Sequence, residues 1–171
     1  PDAIAENCLR ADVRVGYGKD GQQCVYLGEE DVSEAIRAAE VSLASSSVST
    51  VPEVRERMVA LQRRIAEGHS VVMDGRDIGT VVLPQADVKI FLTAAPEARA
   101  RRRGGAVQQR GQQEEYETIL RDIIQRDDLD EHRPIAPLRR AEDAELLDTT
   151  HLNLEQSLEA LLRMVKEKID L

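Results

Sequence analysis

The residues best suited to chemistry stand in one short block, Asp74-Gly75-Arg76-Asp77-Ile78-Gly79-Thr80, directly after the apolar run Val71-Val72-Met73. Such a turn at the carboxyl end of a buried strand puts two carboxylates and a guanidinium where open α/β sheets hold their ligands. A second apolar run, Val88-Lys89-Ile90-Phe91-Leu92, leads to Pro96-Glu97 and the arginines Arg99, Arg101, Arg102 and Arg103. Strand, charged turn, strand and arginine-rich helix is an order suited to a phosphate ester held above a parallel sheet. Taken singly, the same pieces are a solvated turn and a charged helix face.

Arg126, Asp130 and Arg133 stand at i, i+4 and i+7. On a continuous helix they project from one face. A cation–anion–cation row can keep itself in order while offering guanidinium groups to a phosphate and a carboxylate to ribose hydroxyls. The plainer reading is a surface salt-bridge ladder, which contributes little. Ser46 and Arg55 flank a turn between two helices, where hydroxyl and guanidinium can reach one planar polar ligand edge. A serine ahead of a helix is more often a local cap. With Gly104-Gly105 behind it, the Arg99–Arg103 cluster can form the leading arm of a mobile lid, and its plain alternative is a solvated helix face.

The elements that must position these groups follow from the pattern. Val13–Tyr17 and Gln23–Leu27 flank Gly18-Lys19-Asp20-Gly21, a hairpin signal. Asp31 to Ala44 reads as a helix through Val32, Ile36, Ala39 and Leu43, broken by Ser45-Ser46-Ser47. Thr50-Val51-Pro52-Glu53 predicts a new start with a Thr cap and a first-turn proline, and Gly68 ends that helix. Strands are expected at 71–74 and 88–92, then a helix from Pro96 that Gly104-Gly105 interrupts. Gln108 to Glu115 is polar and reads as mobile. Helix resumes through Ile119, Ile123 and Ile124 to about Asp130, and Pro134 and Pro137 make an irregular crossing. Glu145–Asp148 is a third strand, and Asn153 to Gln156 caps a final helix whose apolar face is Leu158, Leu161, Leu162, Val165 and Ile169. Three short apolar strands separated by helices call for a parallel α/β sheet with right-handed crossovers.

Length and composition bound the function. At 171 residues, 42% hydrophobic and 32% charged, the chain suits one domain with a core. No run approaches the roughly 18 apolar residues of a membrane span, and no signal peptide opens the sequence. Cys8 and Cys24 lack metal-type spacing and read as free thiols in a reducing compartment, so a cytoplasmic location is expected. His69, His132 and His151 are scattered, and no residue is assigned as a metal ligand. A net charge of −9 argues against a nucleic-acid polymer as partner. Arginine nevertheless outnumbers lysine, and its planar fork suits bidentate phosphate contacts. A locally basic site on an acidic protein fits a small anion.

These residues together resemble the bacterial cytidylate (CMP) kinases within the P-loop nucleoside monophosphate kinases. The resemblance covers the whole chain. It rests on Gly28-Glu29-Glu30-Asp31-Val32-Ser33, Ile36-Arg37, Glu40-Val41, Pro52-x-Val54-Arg55, Asp74-Gly75-Arg76-Asp77-Ile78-Gly79-Thr80-Val81-Val82-x-Pro84, Lys89-Ile90-Phe91-Leu92-Thr93, Arg126-Asp127-x-x-Asp130-x-x-Arg133, Ala136-Pro137-Leu138 and Asp148-Thr149-Thr150.

The resemblance implies a three-layer P-loop fold with a small antiparallel insert (the hairpin at 11–28) and a helical lid at about 96–126, all in one partial kinase domain. It implies transfer of the ATP γ-phosphoryl to CMP or dCMP with Mg²⁺, in a monomer. By motif position Ser46, Arg55 and Asp77 would read cytosine, and Arg76 and Arg133 would lie near phosphate and base. Arg126 and Asp130 would contact the sugar, and Arg101, Arg102 or Arg103 would close on ATP. Arg76, Arg126 and Arg133 are the expected catalytic cations. Two other readings remain open: a P-loop kinase for another small metabolite, such as shikimate, and a non-catalytic nucleotide-binding fragment. The family opens with a strand and a phosphate-cradling loop, but no Gly-x-x-x-x-Gly-Lys-Ser/Thr occurs in these 171 residues. That opening region is expected to be absent from this chain, which by itself would be inactive and expose the apolar surface of its sheet.

Overall fold

The computed structural model describes residues 2–109 and 115–169. They group into two compact units, Pro1–Ser70 and Val71–Leu171. In the first, helix α1 (Asp2–Arg10) leads into the hairpin of β1 (Val13–Tyr17) and β2 (Gln23–Leu27), with the bounds that the sequence predicts. Val13 pairs with Leu27 and Tyr17 with Gln23. The turn closes with Gly21 at φ 77°, while Asp20 accepts the Gln22 amide at 3.2 Å. A second tight turn, with Gly28 at φ 60°, adds the short antiparallel strand β3 (Glu30–Asp31).

The helix expected from Asp31 is displaced. The Asp31 carboxylate accepts the Ser33 amide at 2.9 Å, an Asx turn that holds the chain out of helical geometry. A 3₁₀ turn at Ala35–Arg37 follows, and helix α2 runs from Ala39 to Val48, straight through the serines expected to break it. Serine weakens a helix by less than about 0.7 kcal/mol per residue, too little to end one. Helix α3 (Pro52–Ala66) has the predicted first-turn proline, but its cap is Val51, not Thr50. The Thr50 hydroxyl instead donates backward to the Ser47 carbonyl at 2.7 Å. α1 packs against α3, where Arg57 donates to the Ala11 carbonyl at 2.8 Å.

In the second unit, β4 (Ile90–Thr93) and β5 (Glu145–Asp148) pair in parallel, Ile90 opposite Glu145 and Thr93 opposite Asp148. Parallel neighbours require a long crossover, here α4 (Pro96–Gln109) and α5 (Tyr116–His132). Val71–Asp74 is not the predicted strand: among the described residues it joins no ladder, and Val72 is fully exposed. An apolar run becomes a strand only where a neighbour supplies backbone partners.

Nor do Gly104 and Gly105 interrupt α4. The helix packs its Ala100 against Ile119 and Ile123 of α5, with Leu120 at the margin, and that burial outweighs about 1 kcal/mol of lost propensity per glycine. Within the segment read as mobile, residues 110–114 lie outside the described residues. The final helix α6 (Leu154–Lys168) starts as predicted, with a reciprocal box: the Gln156 amide donates to Asn153 Oδ1 at 2.8 Å and the Asn153 amide to Gln156 Oε1 at 3.0 Å. Of its expected apolar face, Leu158, Leu162 and Ile169 remain exposed, the last just beyond the helix end.

The α4–α5 seam makes opposite forecasts for two substitutions. Ile119 is 1% exposed, so Ile119→Ala should cost about 2–5 kcal/mol through the cavity it leaves. A Cβ on Gly105 meets nothing within 4 Å, so Gly105→Ala should add about 0.5–1 kcal/mol. Urea unfolding followed by circular dichroism measures both, and a destabilised Gly105→Ala would contradict this packing.

Candidate functional site

Asp130 is the centre around which the charged residues of the second unit gather. It sits in the last turn of α5 and is 5% exposed. Arg76 Nε donates to its Oδ2 at 2.8 Å. Arg126 Nε lies 3.9 Å from the same oxygen, and Arg133 Nη1 lies 3.8 Å from Oδ1. Arg133 in turn approaches Asp77, Nη2 to Oδ1 at 3.6 Å. A carboxylate removed from water on this scale must be paired, so the row is not the solvated ladder of the plainer reading. Three guanidiniums against two carboxylates leave one positive charge. Arg133 and Asp77 are largely buried, whereas Arg76 and Arg126 remain about two-fifths exposed. The arrangement is a fixed interior pair under two partly open guanidiniums, which suits a phosphate or another small oxyanion.

Local sequence explains each placement. Residues Ile78–Val82 form a single π-helical turn. The Asp77 carbonyl accepts the amides of Val81 at 2.9 Å and Val82 at 3.3 Å, and Ile78 accepts that of Leu83 at 2.7 Å. Val82 is buried at 2% exposure and anchors the turn, which aims Arg76 and Asp77 toward α5. Arg133 is not on the helix as the i+7 reading supposes. α5 ends at His132, and Arg133 has ψ 140°, because a residue before proline (Pro134) avoids the helical region. Its side chain still returns to Asp130, held by donation from Nε to the Ala136 carbonyl. Ala136 takes a left-handed φ of 48°, a strained conformation of the kind that persists where surrounding structure demands it.

The arginine-rich start of α4 divides into separate tasks. Arg99 grips Asp127 through both terminal guanidinium nitrogens and donates from Nε to the Ala94 carbonyl at 3.0 Å. Its hydrogen bonds to Asp127 hold it above its ordinary pKa. Arg99 is therefore a strut between α4 and α5. Arg102 donates to Thr149 Oγ1 at 3.2 Å, to the Thr149 carbonyl and to the Leu152 carbonyl at 3.0 Å. Arg101 is exposed and Arg103 half-buried. Asp127 and Thr149 went unassigned in the sequence. Their signals were an acid next to Arg126 and a Thr-Thr pair closing a strand. Thr149 is 4% exposed, and both its amide and hydroxyl donate to Thr93 O, tying the ends of β4 and β5 together. Ser46 and Arg55 belong to the first unit, on α2 and in the first turn of α3. The Ser46 side chain lies outside the described residues.

Two forecasts follow. Asp130→Asn keeps the shape but removes the interior charge, leaving Arg133 buried opposite a neutral amide; the loss should be about 3–5 kcal/mol of stability, read by urea unfolding, and a wild-type midpoint would mean that the cluster is not tightly coupled. Asp148 accepts the Thr150 hydroxyl at 2.6 Å and amide at 2.8 Å, which holds its pKa below the ordinary 3.8. A depressed carboxylate contributes stability that is present above the unfolded value and lost as pH falls through the folded one. Asp148→Asn should therefore lower the melting temperature at neutral pH and flatten its acid decline below about pH 4, in melts taken from about pH 2 to 7.

Comparison with known proteins finds similarity along nearly the whole sequence. The family described as Cytidylate kinase matches residues 2–167. A cytidylate kinase of Carboxydothermus hydrogenoformans is 47% identical over 161 residues, 94% of this chain and 72% of that protein. One from Rhodococcus opacus is 47% identical over 169 residues, 98% of this chain and 73% of its own. One from Streptococcus pyogenes serotype M5 is 47% identical over 167 residues, 98% and 72% of the two chains. This chain belongs to the cytidylate kinase family.

Proposed function

We propose that the chain takes part in transfer of the γ-phosphoryl group of ATP to CMP or dCMP, giving CDP or dCDP. The observation that carries this reading is the buried Asp130 with its three guanidiniums and Asp77 beside them. A phosphate acceptor is already ionised at neutral pH, so no general base is required and catalysis reduces to positioning and charge neutralisation. In this reading Arg76 and Arg133 neutralise and orient the acceptor phosphate, with Arg133 also near the base. Arg126 and Asp130 address the sugar, and Ser46, Arg55 and Asp77 read cytosine. Arg76 and Arg126 share one interior partner, Asp130, so their exposed guanidinium edges are pre-organised for a transferring phosphoryl group.

Arg101, Arg102 and Arg103 form the lid arm that closes on ATP. Arg102 is already drawn to the loop after β5, which brings the arm to the end of the parallel sheet in the second unit. The β4–β5 pair with its helices is read as part of a three-layer P-loop fold, and the hairpin of β1 and β2 as its small antiparallel insert. Mg²⁺ accompanies ATP in such kinases. Among the described residues no three His, Cys, Asp or Glu side chains gather to hold an ion, and the charge neutralisation these residues supply comes from their arginines. No helix of the described residues is long and apolar enough to cross a membrane, and small nucleotides are the expected partners.

Titration calorimetry with CMP, dCMP, UMP and AMP, paired with a coupled assay in the presence of ATP, tests the assignment on the protein that carries the family's opening strand and phosphate-cradling loop. CMP and dCMP should be preferred over AMP by at least about tenfold, some 1.4 kcal/mol. Equal preference for AMP would overturn it, and selective use of a non-nucleotide acceptor would favour the small-metabolite reading.

A further inference from the structure

Lys89 is one of few lysines in an arginine-rich chain, and its side chain is only 9% exposed. It immediately precedes β4, and its ammonium has two anchors. Nζ donates to the Pro84 carbonyl at 2.7 Å, at the exit of the π-helical turn. It also meets both oxygens of Asp143, Oδ1 at 2.8 Å and Oδ2 at 2.6 Å. The stem between them crosses Gly79, where a Cβ would stand 3.3 Å from Lys89 Cδ and 3.6 Å from Cγ. On its own main chain, the Lys89 carbonyl accepts the Glu145 amide at 3.0 Å, continuing the ladder to β5. One residue thus touches the middle of the turn, its exit, and the loop entering β5. The second glycine of the Gly-Arg-Asp-Ile-Gly-Thr block acquires a physical reason: it leaves room for this stem.

We propose that Lys89, steadied by Asp143, is a positioning residue for the acceptor site, fixing the Ile78–Val82 turn that Arg76 and Asp77 directly precede. A neutral side chain at 89 would leave the Pro84 carbonyl without its donor and the stem loose over Gly79, so the turn would reach its wide form only part of the time. Asp143 is held below its ordinary pKa chiefly by the Lys89 hydrogen bond, which agrees with a persistent pair. The role rests on the proposed nucleotide reading, since it matters to function only if Arg76 and Asp77 meet the acceptor.

The test compares Lys89→Met with Lys89→Arg and with Asp143→Asn, the last at an exposed carboxylate whose loss does not threaten folding. Hydrogen exchange of the Val81, Val82 and Leu83 amides reports the turn directly, and calorimetry with CMP and with ATP, on the protein that carries the family's phosphate-cradling loop, reports the site. In Lys89→Met those amides should exchange faster, CMP affinity should fall about tenfold or more, and ATP affinity should stay unchanged. Lys89→Arg should recover part of both effects, and Asp143→Asn should show a weaker version. Unchanged exchange overturns the clamp, even if the wild type has no preference for CMP and the nucleotide reading itself has failed. Faster exchange with CMP and ATP weakened equally, in step with a lower melting temperature, reduces Lys89 to a structural residue and also overturns the positioning role.

Discussion

A carboxylate closed off from water cannot be left alone, and the second unit is organised around that requirement at Asp130. The cost of burying such a charge is several kcal/mol unless donors surround it. The sequence supplies those donors from three places: the turn before the π-helical segment, the preceding turn of α5, and the residue just beyond its end. Because the three arginines converge on one interior point, their positions are correlated, and a ligand meeting Arg76 and Arg126 meets groups whose geometry is set before it arrives. Interior pairing makes this site more rigid than its high content of flexible side chains suggests.

The lid arm depends on a second, independent pairing. Arg99 and Asp127 join α4 to α5 one residue away from Arg126, and Ala100, Ile119 and Ile123 pack beneath them. The same helix therefore presents Asp127 to the lid arm and Arg126 with Asp130 to the cluster. Movement of α4 at its Arg99 end has to be borne by α5 as well, whereas Arg102 ties the arm to the Thr149 hydroxyl and to the carbonyls of Thr149 and Leu152 after β5.

The hairpin, the capping box at Asn153 and strand β5 were legible in the sequence because each is decided by neighbours close along the chain. Turn glycines fixed one, reciprocal side-chain bonds another, and flanking breakers the third. What escaped was decided at longer range. Val71–Asp74 has the composition of a strand, but pairing needs a partner that composition cannot supply. Gly104-Gly105 has the composition of a break, yet packing against α5 overrides it. Asp31 has the composition of a helix start, yet its side chain turns on Ser33 instead. The members of the charged cluster in the second unit were named from motif and spacing. Their hierarchy was not, since nothing in i, i+4, i+7 tells which member is buried, and the break before Pro134 puts Arg133 off the helix while leaving it in the cluster. Arg99 shows the reverse: it lay in a cluster read as facing a ligand, and an acid 28 residues away takes it.

The π-helical turn carries a consequence for how this stretch can vary in length. A π turn holds one more residue than the α turn it would otherwise be. Removing any one residue between Ile78 and Val82 would let the backbone close into ordinary α geometry and swing everything before it by about 100° around the local axis. Apart from Gly79 beneath the Lys89 stem and the buried Val82, side-chain replacements within the turn can be absorbed by repacking, but a one-residue deletion would carry Arg76 and Asp77 away from α5. The segment is therefore constrained in number more strictly than in kind, and insertions or deletions belong in the loops on either side of it.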